Sequence, residues 1–491
     1  MQESIDLHIA TSLLSISGKE DSKGLEILKS LFEKTRQGHL CMAAQDEIPN
    51  VVCEKLQSPL ATLTKPVGFF QGHLYLHRSW LCESIFVSEL FRLVHRKSLV
   101  LDEKIHLEGL NNEQKLAVLG GLTNSFLLIT GGPGTGKTYV AKQILSLIKK
   151  DTKVLVCAPT GKAVSNIKKG LKNVEGLNIS FATLHSALKI RQSESIFAKQ
   201  AFLDSDLVIV DECSMIDIKV FAKLLQSIHS NTRLILIGDP YQLPPVELGT
   251  PFYDISRVGL IPKVELKESL RIEKKEIIQL ARAIAEGKWD KGLFSEAFDL
   301  SSFISWAKSI CYEKNFAFLE EAFADQKILC SHNIGPLGTV QINETIVAAL
   351  SQEGKSLALP IMMTKSVHKY DLINGEQGLW IRNEKENFLL FDSVDGYKKI
   401  PFGLITDYTV AFAISIHKSQ GSEYNHIFIL CQDEDEMMSR ELLYTAITRC
   451  RKSVRLFGRA LTIEKALQRS SMKKSLIIPK IIQACTQGSE P

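Results

Sequence analysis

No two cysteines in this 491-residue chain have the C-x-x-C spacing of a zinc knuckle or redox motif, although there are ten, scattered from Cys41 to Cys485. Such spacing offers no disulfide framework and fits the reduced thiols of a cytoplasmic protein. No apolar run approaches the roughly 18 residues that a membrane helix requires, so no membrane partner is expected. Met1 to Ala10 contains Glu3 and Asp6 and lacks the basic-then-apolar order of a secretory signal. Paired carboxylates in a nuclease pattern are also missing. The net charge of +4 is too small to establish a nucleic-acid partner and does not argue against one. With 45% apolar and 23% charged residues, the composition is that of a globular protein, long enough for two to four domains.

The most informative stretch is Ser125 to Thr138. Phe126 to Ile129 has the length of a buried strand, and Val140, Ile144, Leu147 and Ile148 follow at helical spacing. Between them lies Gly131-x4-Gly136-Lys137-Thr138, the phosphate-loop pattern. Glycines let backbone N–H groups turn inward around phosphates, and the helix N-terminus adds its positive dipole end. Gly131, Gly132, Pro133, Gly134, Thr135, Gly136, Lys137, Thr138 and Tyr139 are therefore the expected nucleotide cradle. Lys137 is placed to reach the β- and γ-phosphates, and Thr138 to ligate Mg²⁺. The expected substrate and cofactor are ATP and Mg²⁺.

Three further strand ends carry polar groups. Lys153 to Cys157 runs into Ala158-Pro159-Thr160-Gly161-Lys162, and Leu207 to Val210 ends in Asp211-Glu212. Asp211 would complete the Mg²⁺ shell, and Glu212 would polarise the attacking water. Leu234 to Ile237 leads to Gly238-Asp239-Pro240-Tyr241-Gln242, where Gln242 would sense the γ-phosphate. Upstream, Gln114 is either the start of a surface helix or an adenine contact. His185, alone in sequence, is more often a structural residue.

In their order, Thr-Gly-Gly-Pro-Gly-Thr-Gly-Lys-Thr, Ala-Pro-Thr-Gly-Lys-Ala, Asp-Glu-Cys-Ser-Met and Gly-Asp-Pro-Tyr-Gln-Leu-Pro-Pro resemble the first motor of superfamily 1 helicases. Phe412 to Glu423 and Arg440 to Arg449 extend the likeness specifically to the RecD family, the alpha subunit of exodeoxyribonuclease V (RecBCD). The resemblance implies an α/β fold with two RecA-like P-loop motors, a small helical N-terminal domain and an SH3-like β insertion. It also implies γ-phosphate contacts from Arg271 and Arg449, a ribose contact from Glu423, and a single-strand DNA track at Thr160, Thr183, His185 and His417. The implied activity is ATP-dependent 5′–3′ DNA unwinding within a heterotrimer of RecB-like and RecC-like subunits acting on DNA ends. A standalone helicase of the same lineage, a small-molecule kinase and a regulatory subunit with a dead motor are the other classes.

The expected domains are 1–105 (helical, either packing on the motor or docking a partner), 106–262 (first motor, with a small hairpin insertion near 189–203), 263–345 with 405–475 (second motor), 346–404 (β insertion) and a solvated tail, 476–491. One departure from the pattern is His332-Asn333-Ile334, where relatives tend to carry an arginine before Gly335-Pro336.

Overall fold

The computed structural model describes residues 2–15, 22–44, 52–96, 107–171, 174, 176–190, 201–268, 275–288, 294–295, 298–350, 357–383, 386–393, 396–432 and 435–486. The chain divides into two compact units. The first comprises Met1–Pro240, Pro244–Glu268 and Met472–Pro491, and the second Tyr241–Leu243 and Ser269–Ser471.

The first unit begins with helices Gln2–Ser15 and Ser22–Arg36, but its N-terminal part is not purely helical. Strands β1 (Met42–Ala43), β2 (Cys53–Lys55), β3 (Val67–Phe70) and β4 (His73–Leu76) form a small sheet in the order β1-β4-β3-β2. Gln71 and Gly72 both take positive φ, 46° and 74°, between the paired residues Phe70 and His73. That is the two-residue hairpin geometry that matches strand twist. β4 runs directly into helix His77–Val94, which buries Trp80, Phe86 and Leu90. Phe86 then meets Phe221 edge-on at 5.3 Å, joining this helix to helix Ile218–Gln226.

The main sheet of this unit contains β5 (Phe126–Gly131), β6 (Lys153–Ala158), β7 (Asn178–Thr183), β8 (Leu207–Val210), β9 (Arg233–Gly238) and β10 (Lys263–Leu266). They lie in the order β10-β5-β9-β8-β6-β7, and every pairing is parallel. β5 and β8 are buried along their whole length, as expected of parallel strands covered on both faces by helices. β10 lies beyond the expected boundary at 262. Lys263 and Glu265 alternate with Val264 and Leu266, the pattern of a strand with one covered face, and β10 is an edge strand paired to β5. The first unit therefore continues to Glu268.

The second unit adds β11 (Phe294–Ser295), β12 (Gln326–Cys330), β13 (Leu357–Met363), β14 (Gln377–Arg382), β15 (Asn387–Ser393), β16 (Gly396–Pro401), β17 (Tyr408–Val410), β18 (Ala413–Ser415), β19 (Tyr424–Leu430) and β20 (Cys450–Phe457). Five of them form a parallel sheet in the order β11-β20-β19-β12-β18. The other five form an antiparallel sheet, β16-β15-β14-β13-β17. This β insertion spans 357–410 rather than 346–404, because helix Thr339–Leu350 occupies the first part of the expected window. Gly375, at φ 83°, makes the turn into β14 that Asn374-Gly375-Glu376 signals. The polar insertion expected near 189–203 falls largely outside the described residues.

The C-terminal tail is not a solvated face. Helix Ile477–Thr486 buries Ile477, Lys480, Ile481 and Ala484 in the first unit. Lys480 Nζ is fully buried 2.9 Å from the Glu83 carboxylate and 3.3 Å from the centre of the Trp80 ring, with Tyr75 at 5.0 Å. Glu83 also accepts the Leu476 backbone N–H at 2.8 Å. The segment carries one lysine among apolar residues, and that charge is balanced inside the fold.

Two consequences are measurable. Lys480→Met keeps the apolar volume but leaves Glu83 charged and buried, so urea unfolding should show a loss of about 3–5 kcal/mol, most of it recovered in Lys480→Met/Glu83→Leu. Burial raises the carboxyl of Asp254, which accepts the Ser475 hydroxyl, to about 8. A raised acid keeps its proton in the fold after the unfolded chain has released it. Asp254 therefore contributes fully below about pH 4, and the contribution is lost as pH rises through about 8. Asp254→Asn should flatten this part of the stability–pH curve.

Candidate functional site

β5 ends at Gly131, and the chain turns through Gly134 (φ 74°) and Gly136 (φ 86°), left-handed conformations that glycine adopts without steric cost. A Cβ at Gly131 would meet Thr135 Oγ1 at 2.7 Å and the Leu266 carbonyl at 2.8 Å, so only glycine fits at the strand exit. Thr135 closes the loop by donating to the Gly132 carbonyl at 2.9 Å. Helix Lys137–Leu147 then starts with Gly136 as its N-cap. Lys137 Nζ folds over the loop and donates to the carbonyls of Gly131 (2.7 Å) and Gly132 (2.8 Å). Pro133 and Thr138 lie in the same turn, and Tyr139 is on its outer side, 44% exposed.

Gln114 is buried, and both ends of its amide are engaged. Its Nε2 donates to the Thr135 carbonyl at 3.3 Å, and its Oε1 accepts the Asn111 N–H, completing a capping box on helix Asn112–Thr123. The residue expected at an adenine edge thus sits beside the phosphate loop and bolts a helix to it. The Asn111-x-x-Gln114 spacing is itself the capping-box signal in the sequence.

Across the sheet, β8 delivers Asp211 and Glu212 to the same edge as the phosphate loop. The Asp211 N–H pairs with the Cys157 carbonyl, continuing the sheet, and its Oδ1 accepts the Glu212 N–H at 2.8 Å. Glu212 itself is left-handed (φ 53°, ψ 41°), unusual for a residue with a long side chain. Such strain persists where surrounding structure imposes it, and it concentrates at functional positions. Burial and then the neighbouring Glu212 carboxylate push the Asp211 carboxyl up to about 7, against the Glu212 N–H and Lys137, which pull it down. Added positive charge nearby would favour its ionised form. The Asp211 carboxylate and the Thr138 hydroxyl are both hard oxygen donors of the kind that Mg²⁺ takes.

Thr160 and Thr183 follow the neighbouring strands β6 and β7, whose ends are in register at Ala158 and Thr183. Each hydroxyl caps the next helix, accepting from Ala163 N–H at 3.2 Å and Ser186 N–H at 3.3 Å. His185 is exposed in the turn after Thr183. The structure therefore places all three on one strand-end edge, with the threonines committed to capping.

In the second unit, helix Arg440–Ile447 ends at Thr448 and Arg449, and the Arg449 side chain is buried. Its Nε donates to the Thr445 carbonyl at 3.3 Å, and its own carbonyl accepts the Tyr424 N–H. Glu423, next to Tyr424, pairs with Arg451 at 2.9 Å. His417 opens a short 3₁₀ turn after β18, and burial lowers its pKa. Gln242 is buried in the Tyr241–Leu243 segment, which belongs to this unit. Leu243 N–H donates to Thr445 Oγ1 at 2.7 Å, so the segment rests on the helix that carries Arg449. Arg271 lies outside the described residues. At the departure site, His332 Nδ1 is 3.3 Å from the buried Asp435 carboxylate. No helix among the described residues is long and apolar enough to cross a membrane.

Two family models match the chain, an AAA domain over residues 109–307 and a UvrD-like helicase C-terminal domain over residues 410–457. The chain is 28% identical to the RecBCD enzyme subunit RecD of Mycolicibacterium smegmatis, covering 96% of each. It is 29% identical to the ATP-dependent RecD2 DNA helicase of Deinococcus radiodurans, over 75% of this chain and 52% of that one. A solved structure of Pif1 helicases at forked double-stranded DNA aligns over 77% of this chain and 98% of its own, with 18% identity and a TM-score of 0.48.

The left-handed backbone at residue 212 can be measured without any activity. Glu212→Gly should be more stable than Glu212→Ala by about 1 kcal/mol in urea unfolding, because glycine alone adopts this conformation without strain. Equal stabilities would mean that the site relaxes when the carboxylate is removed.

Proposed function

We propose, on the premise that the chain belongs to the RecD family of superfamily 1 helicases, that it is an ATP-driven motor moving on single-stranded DNA. The observation that carries this reading is that β5 and β8 flank β9 in one parallel sheet, so the phosphate loop with Lys137 and the Asp211–Glu212 pair leave it at the same edge. Lys137 holds the β- and γ-phosphates, and the residues from Gly131 to Tyr139 wrap them with backbone N–H groups. Thr138 and Asp211 hold Mg²⁺, which when bound neutralises charge on the phosphate oxygens. Glu212 orients the attacking water and takes its proton. Gln242 reports the γ-phosphate to the second unit, Arg271 and Arg449 stabilise the transition state, and Glu423 and Gln114 contact ribose and base.

The motor domains are assigned to 106–268 and, in the second unit, to the parallel sheet. Thr160, Thr183, His185 and His417 contribute to the DNA track, the two threonines through the helix starts that they cap. The end-to-end match to a RecD subunit supports a role as the alpha subunit of an exodeoxyribonuclease V. It would assemble there in the cytoplasm with RecB-like and RecC-like chains and unwind DNA ends 5′ to 3′ during break repair. The N-terminal 105 residues are the proposed docking part.

The purified chain should hydrolyse ATP faster when single-stranded DNA is added. Lys137→Gln should lower turnover by about 10²–10³-fold, and Glu212→Gln by about 10²–10⁴-fold while nucleotide binding is retained. Duplexes with a 5′ tail should be unwound in preference to those with a 3′ tail. No DNA stimulation, either alone or with RecB-like and RecC-like partners, would end the helicase reading.

A further inference from the structure

Gly170 is the last residue of helix Gly161–Gly170, and its φ is not positive, so the position makes no use of glycine's conformational freedom. Alanine is the better helix former at such a place. What the position uses is the missing side chain. A Cβ built on Gly170 would stand 2.8 Å from Cγ2 of Thr138, the residue that follows the phosphate-loop lysine. Carbon atoms in contact settle at about 3.5–4.0 Å, so the two cannot share that space. The helix passes this close to the first turn of helix Lys137–Leu147 only because residue 170 carries nothing beyond its Cα.

Backing away is costly for the helix. Ile167 and Leu171, on either side of Gly170, are buried in the same apolar core as Val140, Ala141 and Ile144 of the helix that Thr138 opens. The other end is tied by Thr160, whose hydroxyl accepts the Ala163 N–H. Volume added at residue 170 therefore falls on the Thr138 methyl. Threonine is branched at Cβ, and its χ1 takes staggered values about 120° apart. Cγ2 and Oγ1 turn together, so moving the methyl from its place carries the hydroxyl from its own.

From this contact we infer that Gly170 is a positioning residue for the Thr138 hydroxyl, holding it in one rotamer by leaving room for the methyl. The inference rests on the reading of Thr138 as a Mg²⁺ ligand given above. Gly170 needs no contact of its own with nucleotide or metal. A side chain there weakens Mg²⁺ binding and spares the rest of the cradle, which consists of backbone N–H groups and Lys137.

The test is a substitution cycle on the full chain: wild type, Gly170→Ala, Thr138→Ser and Thr138→Ser/Gly170→Ala. Serine keeps the hydroxyl and lacks the methyl that Gly170 accommodates. The free Mg²⁺ giving half-maximal binding of a fluorescent ADP analogue should rise about tenfold in Gly170→Ala. Affinity for the analogue in EDTA should stay within about twofold of wild type, and in the Thr138→Ser background Gly170→Ala should change the Mg²⁺ requirement by about twofold or less. Equal effects in both backgrounds, or a parallel loss of affinity in EDTA, would overturn the inference. Urea unfolding of the nucleotide-free chain is the second readout and needs neither metal nor turnover. Gly170→Ala should move the midpoint further toward stability in the Thr138→Ser background than in wild type, because only there does alanine's helix preference act without the clash. Additive midpoints would overturn the contact. A Gly170→Ala chain that folds only when Thr138→Ser accompanies it supports the contact, and failure to fold in both backgrounds overturns it. Wild-type nucleotide binding that ignores Mg²⁺ would defeat the metal reading, whereas the urea cycle judges the contact by itself.

Discussion

All six strands of the first sheet point the same way, and most of what the protein can do follows from that constraint. Parallel strands cannot be joined by tight turns, so each connection must cross over, and every strand releases its chain at the same edge. The phosphate loop after β5, Thr160 after β6, Thr183 after β7, Asp211 after β8, Asp239 after β9 and Glu268 after β10 are therefore neighbours in space while lying up to 137 residues apart in sequence. Buried, apolar strand bodies hold this edge rigid, and the polar groups collect where the apolar runs stop. The site is the shared terminus of six strands, and its precision comes from their register.

That edge carries many backbone groups needing partners, and the side chains there meet the need in several ways. Thr160 and Thr183 cap helices, Asp211 takes the N–H of the residue after it, Gln114 closes a capping box, and Glu113 caps the end of a strand. Glu212 is the exception. Its backbone is held in a conformation it would not adopt alone, because Asp211 and the following 3₁₀ turn leave it no other path. Local rules hold along most of the edge and fail at the residue whose carboxylate is proposed to activate water, as expected of strain kept for function.

The parts of this arrangement that were legible in sequence are those where a short-range pattern has one physical meaning. Four apolar residues before a glycine-rich turn, or before two carboxylates, announce a strand end whether or not the fold is known. Gln242 shows the limit. Its position after β9 was readable, but its membership in the second unit depends on Leu243 N–H meeting Thr445, a bond between residues 202 apart. β10 was placed with the second motor because its alternating pattern announces a strand without saying which sheet it joins, and the pairing with β5 is long-range. The C-terminal helix was missed although Ile477, Ile478 and Ile481 are apolar, because Lys480 stands among them and its counter-charge is a glutamate nearly 400 residues earlier. Long-range charge compensation leaves no trace in local composition.

The Lys480–Glu83 pair also sets an order of events in synthesis. A ribosome makes Glu83, with Phe70, Tyr75 and Trp80 around it, long before it makes the lysine that enters among those rings. Until residue 480 has emerged, the nascent first unit holds a carboxylate in an apolar socket without its counter-charge. Both parallel sheets are complete in sequence by then, while the N-terminal part still awaits its last helix. The earliest segment made is thus among the last to reach its final packing, and the chain's first and final stretches mature together.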